Sequence, residues 1–333
     1  MTAKVKVTYR VRPATMDDLP KVVALMNAAQ LADVGEVVID EAELRTEWSD
    51  PKHNFAEDTF LFETPEGTAI AYGDVYDRRE PLTRVFSWGR VHPDYRGQGI
   101  GTHLLEILEE RAQKSIVKAP PHARVAIAQG IDSRHTAFIK MLEDRGYSLI
   151  RRFYQMRIEL DQKPPDPQPI EGIVIRPMRF PEEAQALFEA DIESFRDHWG
   201  FQPMSWEEFE LFFFKREDTK TDQYFLAMDG DQIAGFSVCV EKTPEDPDMA
   251  WVDILGVRRP WRRRGIATAL LRHTFNFYHK MGKKRVGLGV DAESLTGAVG
   301  VYENAGMSAH RVWLRYEKEL RPGEDLGVQT LQD

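Results

Sequence analysis

The chain has 333 residues, a length that suits two domains with separate cores better than one domain. Its 54 acidic and 44 basic side chains give a net charge of −10 at pH 7, which argues against general nucleic-acid binding and tolerates a cationic small molecule as substrate. The single cysteine, Cys239, excludes an intramolecular disulfide and argues against a thiolate zinc site.

Hydrophobic periodicity predicts the same order of elements in each half of the chain. In the first half we expect strand, helix, hairpin, strand, helix, strand, helix and strand at residues 5–13, 14–29, 60–63 with 69–75, 85–91, 102 onward, 123–129, 134–145 and 148–160. In the second half we expect them at residues 173–177, 182 onward, 224–228 with 232–241, 251–257, 266–277, 285–290, 295–304 and 308–320. Between the halves, DQKPPDPQP carries four prolines, which favour a semi-rigid linker. We therefore predict domains at 1–160 and 170–333, joined by the linker 161–169.

One strand–turn–helix segment occurs twice. Arg96 and Arg262 are 166 positions apart, as are Gly99 and Gly265, and this spacing of half the chain indicates an internal duplication. In each copy a glycine turn leads into a helix, so unpaired backbone N–H groups and the positive end of the helix dipole point at one spot. Arginines beside such a turn strengthen the prediction of a phosphate-binding site.

Each candidate phosphate site comprises the end of the strand, the turn and the first helical turn. The residues are Val91, Arg96, Gly97, Gln98, Gly99, Ile100, Gly101 and Thr102 in the first copy, and Leu255, Gly256, Val257, Arg262, Arg263, Arg264, Gly265, Ile266, Ala267 and Thr268 in the second. A structural turn with exposed arginines is one alternative. A dinucleotide-binding fold is another, but it requires Gly-x-Gly-x-x-Gly, and neither copy has that spacing.

The pattern Arg-x-x-Gly-x-Gly/Ala between a strand and a helix resembles the pyrophosphate-binding motif of the GNAT superfamily of acyl-CoA-dependent N-acetyltransferases. Arg96/Gly99/Gly101 and Arg262/Gly265/Ala267 both fit it. The resemblance implies an α+β (mixed α/β) fold with two tandem GNAT domains, each a mixed, mostly antiparallel sheet flanked by helices. It implies acetyl-CoA, or another short acyl-CoA, as co-substrate and no metal. Among tandem members the chain resembles mycothiol synthases, in which the N-terminal repeat is silent and the C-terminal repeat acetylates a small amine.

The resemblance also points to Tyr302 as a catalytic residue. The family's pattern Ala-x-x-x-Tyr-x-x-x-Gly-Phe is matched by Ala298, Tyr302, Gly306 and Met307. A tyrosine hydroxyl near the sulfur can protonate the leaving thiolate, because its ordinary pKa of about 10 is close to that of a thiol. An ordinary core tyrosine is the alternative. The family often opens this segment with Asn, whereas this chain has Ser294-Leu295, which leaves contacts to the pantetheine arm open.

Asp253 is the first candidate for the base that deprotonates or orients the amine. It is the one acid in an otherwise apolar strand, and a buried carboxylate without a task is costly. Glu241, at the end of the neighbouring predicted strand, is second. Either could instead pair with an arginine of the basic turn. The resemblance places His198 in the region that lines the acceptor site, although a lone histidine is more often structural.

The first half retains the turn but lacks both proposed acid–base groups. Leu142 stands where the second half has Tyr302, and Ser87 stands where it has Asp253. We therefore expect catalysis in the second half, with the first half binding acyl-CoA weakly or acting as a structural partner. A non-catalytic acyl-CoA-binding regulatory module and an acetyltransferase for protein N-termini or lysines are the alternatives.

Composition and the N-terminal sequence lead to the remaining expectations. No apolar stretch reaches 18 residues, and MTAKVKVTYRV lacks a signal-peptide core. We expect a soluble, cytoplasmic monomer or homodimer that acts on a small-molecule amine and binds neither nucleic acid nor membrane.

Overall fold

A computed structural model describes residues 7–37, 39–77, 79–216, 218–294 and 297–327. The strands are β1 Arg10–Arg12, β2 Thr59–Glu63, β3 Ala69–Tyr76, β4 Arg84–Val91, β5 Val125–Asp132, β6 Ser148–Glu159, β7 Ile173–Pro177, β8 Phe225–Asp229, β9 Gln232–Val240, β10 Met249–Val257, β11 Arg285–Asp291 and β12 Ser308–Arg321. The helices are α1 Leu19–Val34, α2 Glu41–Trp48, α3 Phe55–Asp58, α4 Ile100–Gln113, α5 Thr136–Asp144, α6 Ala184–Phe195, α7 Trp206–Phe213, α8 Ile266–Lys280 and α9 Ala298–Asn304.

The chain forms two compact units. The first contains the described residues up to Ile150 together with Leu314–Leu326, and the second contains Arg151–Trp313. In the first unit the strand order is β1-β2-β3-β4-β5-β12, with antiparallel pairing from β1 to β4 and parallel pairing of β4 with β5. In the second unit the order is β7-β8-β9-β10-β11-β6, antiparallel from β7 to β10, parallel between β10 and β11, and antiparallel between β11 and β6. The predicted fold class is confirmed.

The helix after each glycine turn is held by an apolar stripe. On α4, Ile100, Leu104 and Leu108 recur every fourth residue and are at most 4% exposed. On α8, Ile266 and Leu270 take the same places and are equally buried. Each helix packs on the two central strands of its own sheet, α4 on β3 and β4 and α8 on β9 and β10. This packing fixes the N-terminus of each helix at the end of the motif strand.

The final strands differ from the prediction in the unit to which they belong. Residues 148–160 were expected to close the first domain and residues 308–320 the second. In the structure, Phe153 to Glu159 pair with β11 in the second unit, and Leu314 onward packs in the first. Glu317 there accepts hydrogen bonds from Arg84 at 2.7 Å and Arg124 at 3.0 Å. Periodicity predicts that a segment is a strand but not which neighbour it pairs with, so the exchange was not visible in the sequence.

Other differences are local. The short helices α2, α3 and α7 were not predicted. The predicted strand at 5–13 is observed as β1, and its first two residues lie outside the described part of the chain. Residues 295 and 296 of the predicted helix 295–304 also lie outside it. Within the described ranges, no helix combines the length and apolar character needed to span a membrane.

Candidate active site

The glycine turn of the first unit requires glycine for its backbone conformation. Gly97 has φ of 73° and Gly99 has φ of 83°, both in the left-handed region that side chains disfavour. Gly99 precedes α4 directly, and a Cβ there would meet nothing within 4 Å. The backbone just before α4 therefore borders open space, and the first N–H groups of a helix have no partner within the helix. This is the geometry of an anion site at a helix N-terminus.

The second turn has the same shape with one substitution. Gly265 has φ of 82° and precedes α8, as Gly99 precedes α4. Arg263, at the place of Gly97, has φ of 64° and is exposed. A left-handed conformation costs a residue with a Cβ roughly 1–2 kcal/mol. The chain thus retains an arginine where glycine would be less strained.

The motif arginines hold the turns in place. Arg96 donates to the Val91 carbonyl at 3.2 Å and to the two carboxylate oxygens of Asp33 at 2.6 and 2.9 Å. Arg262 repeats this arrangement with the Val257 carbonyl at 3.1 Å and Asp197 at 3.2 Å. Each guanidinium thus fastens its turn to the end of the motif strand and to an acidic residue at or just beyond the end of α1 or α6.

The three consecutive arginines of the second turn have different surroundings. Arg262 is engaged by Asp197, and Arg264 donates to the Glu171 carbonyl at 2.9 Å. Arg263 makes no hydrogen bond or ion pair with the residues that the structure describes. Of the three, Arg263 is the one whose charge is available to a phosphate.

A cavity of about 480 Å³ opens beside the first turn. Its walls come from the end of β4, α4, β5 and α5. Six of the eight residues predicted for this site line it, namely Val91, Arg96, Gly97, Gly99, Gly101 and Thr102. Ile100 is instead part of the core, and the Gln98 side chain accepts from the Val7 amide at 3.0 Å. The cavity places open amide groups and a hydrophobic wall side by side, which fits an acyl-CoA.

Arg90 is a cavity residue that sequence reasoning missed. Its guanidinium lies 5.6 Å from the centre of the Phe138 ring, and its Nε is buried without a hydrogen-bond partner. Burial lowers the pKa of Arg90 to about 10, so the group stays protonated at neutral pH. The second unit has Gly256 at the corresponding place, where a Cβ would lie 2.3 Å from the Phe236 ring. An arginine in a strand gave no signal of this role.

The motif strand of the second unit contains a β-bulge. Val252 pairs with Cys239 and Ile254 with Val238, so Asp253 is an extra residue without a partner in the register. In the first unit, β4 runs against β3 in unbroken register from Phe86 to Val91. A bulge bends its strand and redirects backbone groups, often beside an active site. The two units therefore differ where an amide N–H would be presented to a bound carbonyl.

Asp253 is not the buried carboxylate that its apolar strand predicted. The residue is exposed and lies at the bulge, outside the register of β9 and β10. Burial, and to a smaller extent the charge of Asp253, raises the pKa of Tyr224. The charge of Asp253 thus acts on Tyr224, and the role of Asp253 as a base stays a prediction.

Tyr302 lies at a buried position on α9. Its side chain is 9% exposed and belongs to an apolar cluster that includes Leu255 of β10 and Ala298. Burial raises the pKa of Tyr302 to about 12, so the hydroxyl keeps its proton at neutral pH. A hydroxyl in this state can donate a proton but cannot serve as a base. Its counterpart Leu142 is fully buried in the core of the first unit.

The remaining candidates are less suited to proton transfer. Glu241 pairs with Lys220 and accepts from Gln223 at 3.2 Å, and these hydrogen bonds, with that from Lys220 the stronger, lower its pKa. A carboxylate held in this way is a weak base. Burial lowers the pKa of His198, whose Nδ1 is buried without a hydrogen-bond partner. The Ser87 hydroxyl accepts from Gln129 at 2.6 Å in the first unit. In the described ranges, no cluster of three or more His, Cys, Asp or Glu could hold a metal ion.

Comparisons with known proteins place this geometry in a family. The model of the acetyltransferase (GNAT) family matches residues 24–126 and 184–307. A mycothiol acetyltransferase of Geodermatophilus obscurus is 28% identical over 312 residues, covering 87% of this chain and 91% of the relative. The crystal structure of a GCN5-related N-acetyltransferase from Sphaerobacter thermophilus is 34% identical, with a TM-score of 0.76 and coverage of 96% of this chain and 98% of that one. A tandem GNAT protein from the clavulanic acid biosynthesis pathway is 15% identical with a TM-score of 0.69, covering 95% and 100%.

Proposed function

We propose a specific activity for this chain, which belongs to the acetyltransferase (GNAT) family as a tandem member. It transfers the acetyl group of acetyl-CoA directly to a small-molecule primary amine, and the second unit carries the chemistry. The bulged strand β10 beside a protonated, buried Tyr302 carries this proposal, because the first unit has neither. The name of the Geodermatophilus relative supports a small acceptor without fixing which one.

The residues divide the reaction between them. The amides that precede and begin α8 hold the pyrophosphate, with Arg263 adding a positive charge. A backbone N–H of Leu255–Val257 polarises the thioester carbonyl. The amine nitrogen forms the new C–N bond, the C–S bond breaks, and the Tyr302 hydroxyl gives its proton to the leaving thiolate.

Replacement of Tyr302 by Phe tests the chemistry. We expect a fall in kcat of about 100-fold or more, because a general acid typically contributes that much. The affinity for acetyl-CoA should change little. Thiol release in the presence of a turned-over amine is the measurement, and Tyr147→Phe, which removes a hydroxyl from the first unit, is the matched control. An unchanged rate in Tyr302→Phe would remove Tyr302 from the mechanism.

A second role, acyl-CoA binding without turnover, follows from the cavity of the first unit. Calorimetric titration of acetyl-CoA into Gly99→Glu and Gly265→Glu proteins separates the sites, because each carboxylate repels the pyrophosphate. Gly99→Ala and Gly265→Ala impose the same backbone strain without the charge. We expect each Glu variant to lose one binding event and only Gly265→Glu to lose turnover. Turnover lost in Gly99→Glu alone would reverse the assignment of the working unit.

A protein acetyltransferase and a purely regulatory module are the other candidates. Acetylation of a peptide amine in preference to small amines would favour the first. Saturable acetyl-CoA binding without thiol release against a broad amine panel would favour the second.

A further inference from the structure

Asp191 stands out among the carboxylates of α6 and the turn after it. Glu193 pairs with Arg258, whose Nε lies 2.7 Å away, and Asp197 pairs with Arg259 and Arg262. Glu189 is exposed and accepts from the Gln185 amide at 3.4 Å. Asp191 is half-buried, yet it makes no hydrogen bond or ion pair with any residue in the described ranges.

In the duplicated first unit, the residue at the place of Asp191 has its hydrogen-bond partners within the chain. Pro13 and Pro177, and also Asp33 and Asp197, are 164 positions apart, which places Asn27 opposite Asp191. The Asn27 amide donates to the Ile39 carbonyl at 3.0 Å and accepts from the Ile39 amide at 2.9 Å. The first unit thus closes this position with the segment between α1 and α2. In the second unit a carboxylate with both oxygens available takes the same place.

The neighbours of Asp191 along α6 are apolar. Phe188 and Phe195 lie three and four positions away on the same face, and their rings pack against Trp206, Phe209 and His198. The strands packed against α6 are β9 and β10, and their titratable residues are the buried Cys239 and the exposed Asp253. Helix α7 also contacts α6 through the Phe188 ring, and its titratable residues are Glu207, Glu208 and Glu210. None of these groups supplies a positive charge. Arg258, Arg259 and Arg262, which follow β10, are already engaged by Glu193 and Asp197.

We propose that Asp191 binds the ammonium group of the acceptor amine and takes the first of its protons. This inference rests on the proposed acetyl transfer in the second unit. One N–H proton passes to the Asp191 carboxylate and from there to solvent. The freed lone pair attacks the thioester carbonyl, and the second proton lost by nitrogen balances the one that Tyr302 gives to the thiolate. The acceptor is therefore a primary amine that is protonated in solution.

The ionisation of Asp191 agrees with this role. Burial raises its pKa to about 7, which is where a base has to titrate to work at neutral pH. Because the ammonium ion needs the charged carboxylate, kcat/KM for the amine should rise with pH through an inflection near that pKa.

The variant Asp191→Asn, which carries the side chain found at the corresponding place in the first unit, tests the inference in the full-length protein. The probes are n-butylamine, ethanolamine, glycinamide and glucosamine, each followed by thiol release from acetyl-CoA between pH 5.5 and 9. We expect KM for the amine to rise about 10- to 100-fold, as for loss of a charged hydrogen bond. The KM for acetyl-CoA should stay the same and the inflection near pH 7 should disappear. Glu189→Gln, an exposed carboxylate of the same helix, should behave as the wild type.

The outcomes separate this inference from the proposed function. Turnover by the wild type with equal KM and an equal pH profile in Asp191→Asn overturns the role of Asp191 and leaves the acetyl transfer intact. If no probe is turned over, calorimetric titration of n-butylamine into the CoA-saturated protein decides. Binding by the wild type that Asp191→Asn loses supports the ammonium site and rejects the transfer activity. Equal binding by both proteins, or binding by neither, overturns the ammonium site.

Discussion

At the scale of single residues, the second turn combines a conformational cost with a free charge. Arg263 adopts the left-handed conformation that Gly97 adopts without strain in the first turn. Strain of this kind persists when the surroundings impose it and clusters at functional sites. The adjacent arginines are held by the Asp197 carboxylate and the Glu171 carbonyl. The exposed guanidinium of Arg263 is thus the positive charge of this turn that a phosphate can approach.

Replacing Arg263 by Gly should make the protein more stable and a poorer binder. Relief of the left-handed strain exceeds the added chain entropy of glycine by about 0.5–1 kcal/mol. Loss of the charge should weaken acetyl-CoA binding at the second turn about tenfold. Thermal unfolding and calorimetry measure the two effects, and Arg263→Lys, which keeps both charge and strain, is the control. Undiminished affinity in Arg263→Gly would show that this arginine does not bind the phosphate.

At the same scale, sequence reasoning recognised residue types better than their partners. The motif arginines were predicted to serve the phosphate, and that stays a prediction; the structure adds that Arg96 and Arg262 brace their turns through Asp33 and Asp197. A motif states which residue is present and leaves its hydrogen-bond partner open. Asp191 was missed because an acid on an amphipathic helix usually belongs to the solvated face.

At the scale of elements, prediction from the sequence succeeds for the repeated strand–turn–helix segments and fails at the β10 bulge and at the final strands. The repeated strand–turn–helix segments were predictable, because an apolar strand, a glycine turn and a helical stripe are all local patterns. The exposure of Asp253 was not, since one extra residue in β10 shifts every later side chain to the other face. The final strands were placed correctly along the chain but assigned to the wrong units.

A truncation tests the contribution of β12 to the first unit. A chain that ends at Trp313 lacks the Glu317 carboxylate that accepts hydrogen bonds from Arg84 and Arg124. We expect the first unit to lose cooperative unfolding and its hydrogen-exchange protection at β5. A chain that ends at Gly327 keeps every contact described here and is the matched control.

A milder variant keeps this prediction measurable if the short chain aggregates. The side chain of Glu317 is 1% exposed and that of Arg84 is 9% exposed, so Glu317→Gln breaks a buried ion pair. Loss of one partner in such a pair costs about 3–5 kcal/mol. A stability equal to that of the wild type would show that β12 adds little to the first unit.

At the scale of the whole molecule, duplication has been followed by divergence of the residues around the repeated turn. Both units retain the turn, its bracing arginine and the acidic residue that holds it. Only the second has the bulge, the buried tyrosine and the unpartnered carboxylate on α6 among the residues described. The first has a cavity lined by its turn and Arg90. Two copies of one glycine turn have thus acquired different chemical surroundings.

The exchanged strands also set a schedule for biosynthesis. The sheet of the first unit lacks its last strand until residue 314 has been synthesised. The rest of that unit has been synthesised by Ile150. At the usual 5–20 residues per second, the intervening stretch takes on the order of 10–30 s to synthesise. During that interval the side of β5 that faces away from β4 has no strand paired with it in its own unit. Nascent chains of this protein should therefore depend on chaperones more than a simple pair of successive domains would.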